Sequence, residues 1–272
     1  MSLIGDIIMS LPVLQKLCEI VDEPYVIFSI AQKCKQSAPL FYNHPLINEI
    51  KISDHYEDIG EEDQKIIDTC DIVLPVRPPP PKQHDWYNHR DLISETTRMA
   101  GFNEKFTANV YPVLYINREV TQALPKTLAI WPFAGYGQGL SRSPSVEWWN
   151  VCISKLISCG FNILHCGAES EPVLSQHEKY SKITTMTFVD QIYMSLGCCG
   201  CIGTDSGSMW VIAAYNKVPQ INLMTNWLPN HVNNKLALAP VGPKTHNLYA
   251  DGSCSNINTD SVVIASNEIF CT

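Results

Sequence analysis

Residues 200–224 read GCIGTDSGSMWVIAAYNKVPQINLM. A short run of small and apolar residues, Cys201, Ile202 and Gly203, stops at the polar turn Thr204-Asp205-Ser206-Gly207-Ser208. Met209, Ile212 and Ala213 follow at helical spacing, and beyond Lys217 and Pro219 a second apolar run covers 221–224. The pattern predicts strand, tight turn, helix and strand, one βαβ unit whose first turn carries the chemistry. Asp205 or Ser206 is placed to cap the helix, and Gly207 lets a ligand approach the backbone closely. Free N–H groups of that first turn, together with the helix dipole, make a site for a phosphate or diphosphate. The plainer alternative is a well-capped helix with no ligand, since caps of this kind are common.

With 272 residues, the chain has room for two domains of ordinary size or one large one. Hydrophobic residues make up 45% and charged residues 17%, the balance of a globular protein with a sizeable core. A net charge of −8 without a Lys/Arg stripe argues against nucleic acid or an anionic membrane as partner. No run is long enough to span a bilayer, and residues 1–14 lack the charged start of a signal peptide. Eleven cysteines is an odd count, so a secreted disulfide framework does not fit. Cys198 and Cys201 form one C-x-x-C without a second, inside the apolar run, and read as buried, reduced thiols. The expected compartment is the cytoplasm, including the inner face of the cytoplasmic membrane as a peripheral contact.

Upstream, Ile7, Leu11, Leu14, Cys18 and Val21 fall on one helical face, with Asp6 expected at the N-cap and Pro12 expected to bend the helix. A strand should precede this helix in a doubly wound domain, yet only residues 1–4 are there to form it. Strands are expected at 25–30, 49–52 and 72–74, and an extended apolar segment at 111–116. Arg77 and the prolines 78–81 lead into His84, Trp86, Tyr87, His89 and Arg90, a loop that could hold a sugar or phosphate, or simply open a helix at 91–100. A boundary at Pro125 divides an N-terminal half, 1–124, from a C-terminal half, 125–272. The second half opens with a strand at 127–131, a Gly/Ser-rich loop through Gly135 and Arg142, a helix at 147–159 closed by Gly160, and a strand at 162–166. The loop after that strand holds Gly167, Glu169 and Glu171. Short helices at 173–180 and 190–196, an irregular stretch at 225–255 and a last helix near 261–270 complete the expectation. Ligands of such folds bind outside the carboxyl ends of parallel strands, where Asp6, residues 135–142, 167–171 and 204–209 all fall.

Four stretches, GDIIMSLPVLQKL, HPLINEI, RSPSVEWWNVCISKLISCGFNILHCGAESE and GTDSGSMWVIAAYNKVPQINLM, resemble in order the motifs of the heptosyltransferase-like glycosyltransferases of lipopolysaccharide assembly, family 9. The resemblance covers residues 5–224 and weakly the last helix. It implies a GT-B fold of two Rossmann-like α/β domains with a cleft between them, the acceptor on the first and the nucleotide-sugar donor on the second. The last helix would pack back on the N-terminal domain. The implied reaction is an inverting, metal-independent transfer from an ADP-sugar or similar donor to a glycan or glycolipid acceptor, with no cofactor.

By motif position the resemblance implies Asp6 as catalytic base and Arg142 as the cation on the donor phosphates. Gly135, Asp205, Ser206, Gly207, Ser208 and Met209 would cradle the diphosphate. Gly167, Glu169 and Glu171 would meet the nucleoside, and Arg77, His84, Trp86, His89 and Arg90 the acceptor. Arg142 stands where the family has Lys, Trp210 where it has His, and Pro144-Ser145 where it has Trp-Pro. The chemistry is coherent: a carboxylate takes the acceptor's proton, and a cation with a helix N-terminus stabilises the leaving diphosphate. Two other functions remain open on these residues, a nucleotide-sugar epimerase on the same fold and a sugar-nucleotide-binding protein without activity.

Overall fold

The computed structural model describes residues 3–53, 61–73, 101, 111–134, 142–225, 240 and 242–271, with backbone alone for Leu3, Asp6 and Glu62. Its first half comprises α1 (Leu3–Ile20), β1 (Ile27–Ala31), a 3-10 stretch (Gln32–Phe41), β2 (Glu49–Ser53) and α2 (Glu61–Ile67). β1 and β2 pair in parallel, Ile27 opposite Glu49 through Ala31 opposite Ser53. The second half contains β3 (Thr127–Trp131), α3 (Val146–Ser158), β4 (Asn162–His165), β5 (Tyr180–Lys182) and α4 (Phe188–Leu196). There follow β6 (Gly200–Thr204), α5 (Gly207–Tyr215), β7 (Gln220–Thr225), β8 (Thr245–Ala250) and α6 (Thr259–Phe270).

These strands form one six-stranded sheet in the order β5-β4-β3-β6-β7-β8, every pair parallel. The chain runs outward from β3 to β5, then crosses to β6 and runs outward the other way. That reversal between β3 and β6 is a topological switch point, the place where doubly wound sheets hold ligands. Every residue of β3, β6 and β7 is buried, as expected of central parallel strands covered on both faces.

One layer, α3 and α6, packs its Trp149, Ile153, Leu156 and Val262 against Leu128, Ile202 and Leu223 of the sheet. The other layer is built by α1, α4 and α5, whose core runs without a break from Ile8 and Leu11 through Met209 and Ile212. α5 lies inside this layer with eight of its nine residues buried, so it is apolar on every side. Two glycines of β6 allow the layers to approach. A Cβ at Gly203 would stand 2.5 Å from Met209 Sδ, and one at Gly200 would stand 2.2 Å from Phe270 Cδ1.

Several expectations change. α1 begins at Leu3, so Asp6 sits within its first turn rather than at the N-cap, and residues 3 and 4 are helical rather than strand. Pro12 lies inside a continuous α1, where it has no N–H for the carbonyl of Ile8. Ile72 and Val73 are half exposed and outside any strand, so the buried strand expected there does not form at those residues. Residues 111–116 are extended but unpaired in a sheet; they cross α5, with Leu114 N–H donating to the Ala214 carbonyl at 3.0 Å. Residues 173–179 form no helix, and the chain instead enters β5 at Tyr180. The stretch expected to be irregular after 224 contains β8. The last helix does form where expected, as α6 from Thr259 with Asn258 as its cap, and it packs on α3 and β7. The helix expected at 91–100 lies outside the described residues.

Cys198 and Cys201 are buried and free, and burial pushes the Cys198 thiol up to about 12. Among the described residues no helix is long and apolar enough to cross a membrane.

Candidate active site

The turn between β6 and α5 leaves the sheet at its carboxyl edge, beside the switch point. Ser206 takes the extended backbone of an N-cap residue, φ −146° and ψ 160°, but its side chain makes no cap bond. Its buried Oγ has no hydrogen-bond partner, nor has the buried Oγ1 of Thr204. The first N–H groups of α5, from Gly207 and Ser208, have no intrahelical carbonyl to reach. A hydroxyl without a partner and two free amides at a helix N-terminus are the donors an anionic oxygen requires. Met209 points the other way, fully buried beneath Gly203, so it shapes the turn from below. Ser208 alone of the helix is not buried.

Asp205 does not serve as the cap. Arg142 donates from Nη2 both to the Asp205 carbonyl and to its Oδ2, each at 2.7 Å. Both side chains are largely buried, 16% and 8% exposed, so this contact is made out of bulk water, where charge pairs are strong. Beside the arginine, Ser143 Oγ accepts the Ala134 N–H, from the residues just after β3, at 2.8 Å. Thus the residues following β3 and those following β6 meet across the switch point.

From the other side comes the first turn of α1. A Cβ at Gly5 would lie 3.4 Å from Trp210 Cδ1 and 3.8 Å from Gly207 Cα. The glycine step therefore brings α1 onto the first turn of α5, and Asp6 is the next residue along. Trp210 is buried at 4% exposure and fills the wall between the two helices.

The loop after β4 is stitched from within. His165, fully buried at the end of β4, binds Tyr180 Oη through Nδ1 at 2.6 Å and Glu171 Oε2 through Nε2 at 2.9 Å. Tyr180 Oη accepts the Leu174 N–H at 3.0 Å, which leaves its own proton for His165 Nδ1. Nε2 then carries the ring proton and donates to Glu171, an assignment drawn from these partners. The other oxygen, Glu171 Oε1, accepts the Ala168 N–H at 3.1 Å. Gly167 exchanges two bonds with the Gln191 amide, at 2.7 and 3.1 Å, and a Cβ there would strike the Glu171 carboxylate. Glu171 is thus engaged in holding the loop, whereas Glu169 is exposed at its tip. Phe133, just beyond β3, rests 6.4 Å from the His165 ring, so this network supports both loops.

Of the residues expected in the site, Arg142, Asp205, Ser206, Gly207 and the backbone of Asp6 gather at one place. Gly167, Glu169 and Glu171 form the adjacent loop. Gly135 and the acceptor residues Arg77, His84, Trp86, His89 and Arg90 lie outside the described residues. His165 and Tyr180 were missed, although a histidine ending the apolar strand NILH is itself a signal of a buried polar network. Among the described residues no group of three or more His, Cys, Asp or Glu is placed to hold a metal.

No protein-family model and no curated protein sequence matches the chain. Solved structures do. The E. coli ADP-heptose LPS heptosyltransferase II superposes with a TM-score of 0.70 at 14% identity, covering 100% of this chain and 97% of that one. A glycosyl transferase family 9 protein from Veillonella parvula gives 0.72 at 14% identity, covering 98% and 94%. The E. coli heptosyltransferase WaaC, solved with ADP-2-deoxy-2-fluoro heptose, gives 0.65 at 11% identity, covering 97% and 96%. The chain has the α/β fold of these glycosyltransferase structures, of GT-B type.

Proposed function

We propose that this protein is an inverting glycosyltransferase. It would move a heptose or related sugar from a nucleoside-diphosphate sugar, ADP-linked by preference, to a glycan or lipopolysaccharide-type acceptor. The observation that carries this reading is the meeting of three elements at the switch point: the open N-terminus of α5 with Ser206, the Arg142 cation, and the Gly5-Asp6 turn of α1. The likeness to heptosyltransferases, one of them solved with an ADP-heptose analogue, supports the same donor class.

In this reading the amides of Gly207 and Ser208 and the Ser206 hydroxyl bind the donor's phosphates, with Arg142 beside them. Gly167, Glu169 and Glu171 form the loop that faces the nucleoside. The acceptor hydroxyl attacks the anomeric carbon from the face opposite the diphosphate, and its proton passes to the Asp6 carboxylate. As the new C–O bond forms, the bond to the diphosphate breaks and its electron pair leaves with the phosphate oxygen. Fixed positive groups stabilise that growing charge most where water is excluded, as around the buried Arg142. Such transfer onto a glycolipid places the protein at the inner face of the cytoplasmic membrane.

Thermal-shift screening against ADP-, GDP-, UDP- and CMP-sugars tests the donor class, followed by incubation of the stabilising donor alone. The reading expects stabilisation by one of them, ADP-linked first, and a donor sugar that does not isomerise without acceptor. Stabilisation by none, or isomerisation of the donor alone, contradicts it.

A further inference from the structure

Tyr249, on β8, carries a buried hydroxyl with no hydrogen-bond partner. Buried phenol hydroxyls nearly always have one. The strand register shows which group stands opposite. Thr204 pairs with Leu223 and Leu223 with Leu248, so the next residues, Asp205, Met224 and Tyr249, reach one level at the carboxyl edge. Neighbouring strands lie about 4.8 Å apart, which leaves roughly 10 Å between the Asp205 and Tyr249 backbones, a gap their side chains can bridge. Burial, and after it the negative charge of Asp205, push the Tyr249 phenol up to about 12. Yet the Asp205 carboxylate already receives Arg142 at 2.7 Å.

We propose that donor binding exchanges the partners of Asp205: Arg142 turns from the carboxylate to the donor's phosphates, and the Tyr249 hydroxyl donates to Asp205 in its place. The inference rests on the functional reading above. It accounts for an electrostatic difficulty in that reading, because a diphosphate arriving at this turn meets a carboxylate of like charge. A hydrogen bond from Tyr249 keeps that carboxylate turned away and solvated by the protein. Arg142 also donates to the Asp205 backbone carbonyl at 2.7 Å, so it can pivot on that bond without leaving the site. Tyr249 is a positioning residue that acts through Asp205.

The test is calorimetric titration of ADP, GDP, UDP and CMP into the wild type, Tyr249→Phe, Asp205→Asn and the double variant, beside ligand-free melting curves. Without ligand, Tyr249→Phe should melt no lower than wild type, since no bond is lost. The tightest nucleotide should bind Tyr249→Phe about tenfold more weakly, the scale of one hydrogen bond to a charged group. In the Asp205→Asn background the same change should alter affinity less than about twofold, because the carboxylate it serves is gone. Equal binding by wild type and Tyr249→Phe overturns the exchange, as does a ligand-free Tyr249→Phe that melts well below wild type. A wild type that binds none of the four nucleotides removes the functional reading itself.

Discussion

Arg142 grips Asp205 at two points with one nitrogen, Nη2 standing 2.7 Å from both the backbone carbonyl and Oδ2. The pair joins the loop after β3 to the turn after β6, and it holds the cation at the place where a diphosphate would sit. In the proposed reading one side chain then serves both stability and turnover.

Removing the arginine breaks a largely buried ion pair with the Asp205 carboxylate, which is 8% exposed. Breaking a buried pair in this way costs about 3 kcal/mol. Urea unfolding of Arg142→Ala should show that loss, and Arg142→Ala/Asp205→Asn should recover more than half of it. Arg142→Lys keeps the charge but not the fork, and should cost about 1 kcal/mol. A stability for Arg142→Ala within about 0.5 kcal/mol of wild type, the range of an ordinary surface change, contradicts the contact.

Two serines at helix starts should behave differently. Ser145 Oγ accepts the Trp148 N–H at 3.2 Å at the head of α3, so Ser145→Ala should cost about 1 kcal/mol. Ser206 heads α5 with no such bond, so Ser206→Ala should leave stability nearly unchanged. Its cost should appear instead as weaker ADP binding in a calorimetric titration. Equal losses of stability at both serines would mean that Ser206 is a cap after all.

Glycines at the site separate packing from access. Gly203→Ala drives a methyl into Met209 and should destabilise by about 1–3 kcal/mol, the cost of overpacking. Gly5→Ala meets only ordinary contacts at 3.4 and 3.8 Å and lies in a helix, where Ala is favoured by up to about 1 kcal/mol. Differential scanning calorimetry should place Gly203→Ala below wild type and Gly5→Ala at or above it. A lowered melting temperature for Gly5→Ala would show that α1 and α5 sit closer than described.

His44 gives the fold a pH dependence. Its Nδ1 accepts the Leu46 N–H at 3.2 Å and its Nε2 faces the Val113 carbonyl at 3.3 Å, a neutral ring used on both sides. Burial holds its pKa below the ordinary 6.5, partly offset by the bond to Val113. The unfolded chain therefore takes up a proton near pH 6.5 that the folded chain refuses, so this group's stability is full above that pH. It is lost progressively as pH falls from 6.5 towards the lowered folded value. Unfolding free energies measured from about pH 7.5 to pH 5 should decline more steeply for wild type than for His44→Gln. Parallel pH profiles for the two proteins would remove His44 as the cause.

The sequence made the β6–α5–β7 unit legible because each cue there agrees: apolar runs, a polar turn, helical spacing and a second apolar run. α3 was equally plain, its helical apolar spacing closed by Gly160, which takes φ +91°. β5 and β8 escaped notice because edge strands carry little apolar signal; Tyr180–Lys182 spans three residues, and no residue of Thr245–Ala250 is fully buried. Ile72 and Val73 misled in the opposite sense, an apolar pair half exposed beyond α2. At the site, the turn and Arg142 could be named from motif position. Their ion pair could not, because 63 residues separate Arg142 from Asp205 and only the sheet order brings them together. The same holds for Tyr249, which only the registers of two strand pairs bring level with Asp205.

The central claim is sugar transfer with Asp6 as base. Asp6 lies in the first turn of α1, beside the Gly5 step onto Gly207. As an acidic residue near a helix N-terminus it contributes only about 0.3–1 kcal/mol to stability, so Asp6→Asn should melt close to wild type. Proton transfer to a positioned base typically accelerates a reaction by about 10²–10⁴-fold. The measurement is transfer from an ADP-sugar to a lipopolysaccharide-type acceptor by wild type and Asp6→Asn, with ADP binding titrated on the same preparations. Asp6→Asn should bind ADP like the wild type and transfer sugar about 10²–10⁴-fold more slowly. Transfer by Asp6→Asn at the wild-type rate would contradict the account.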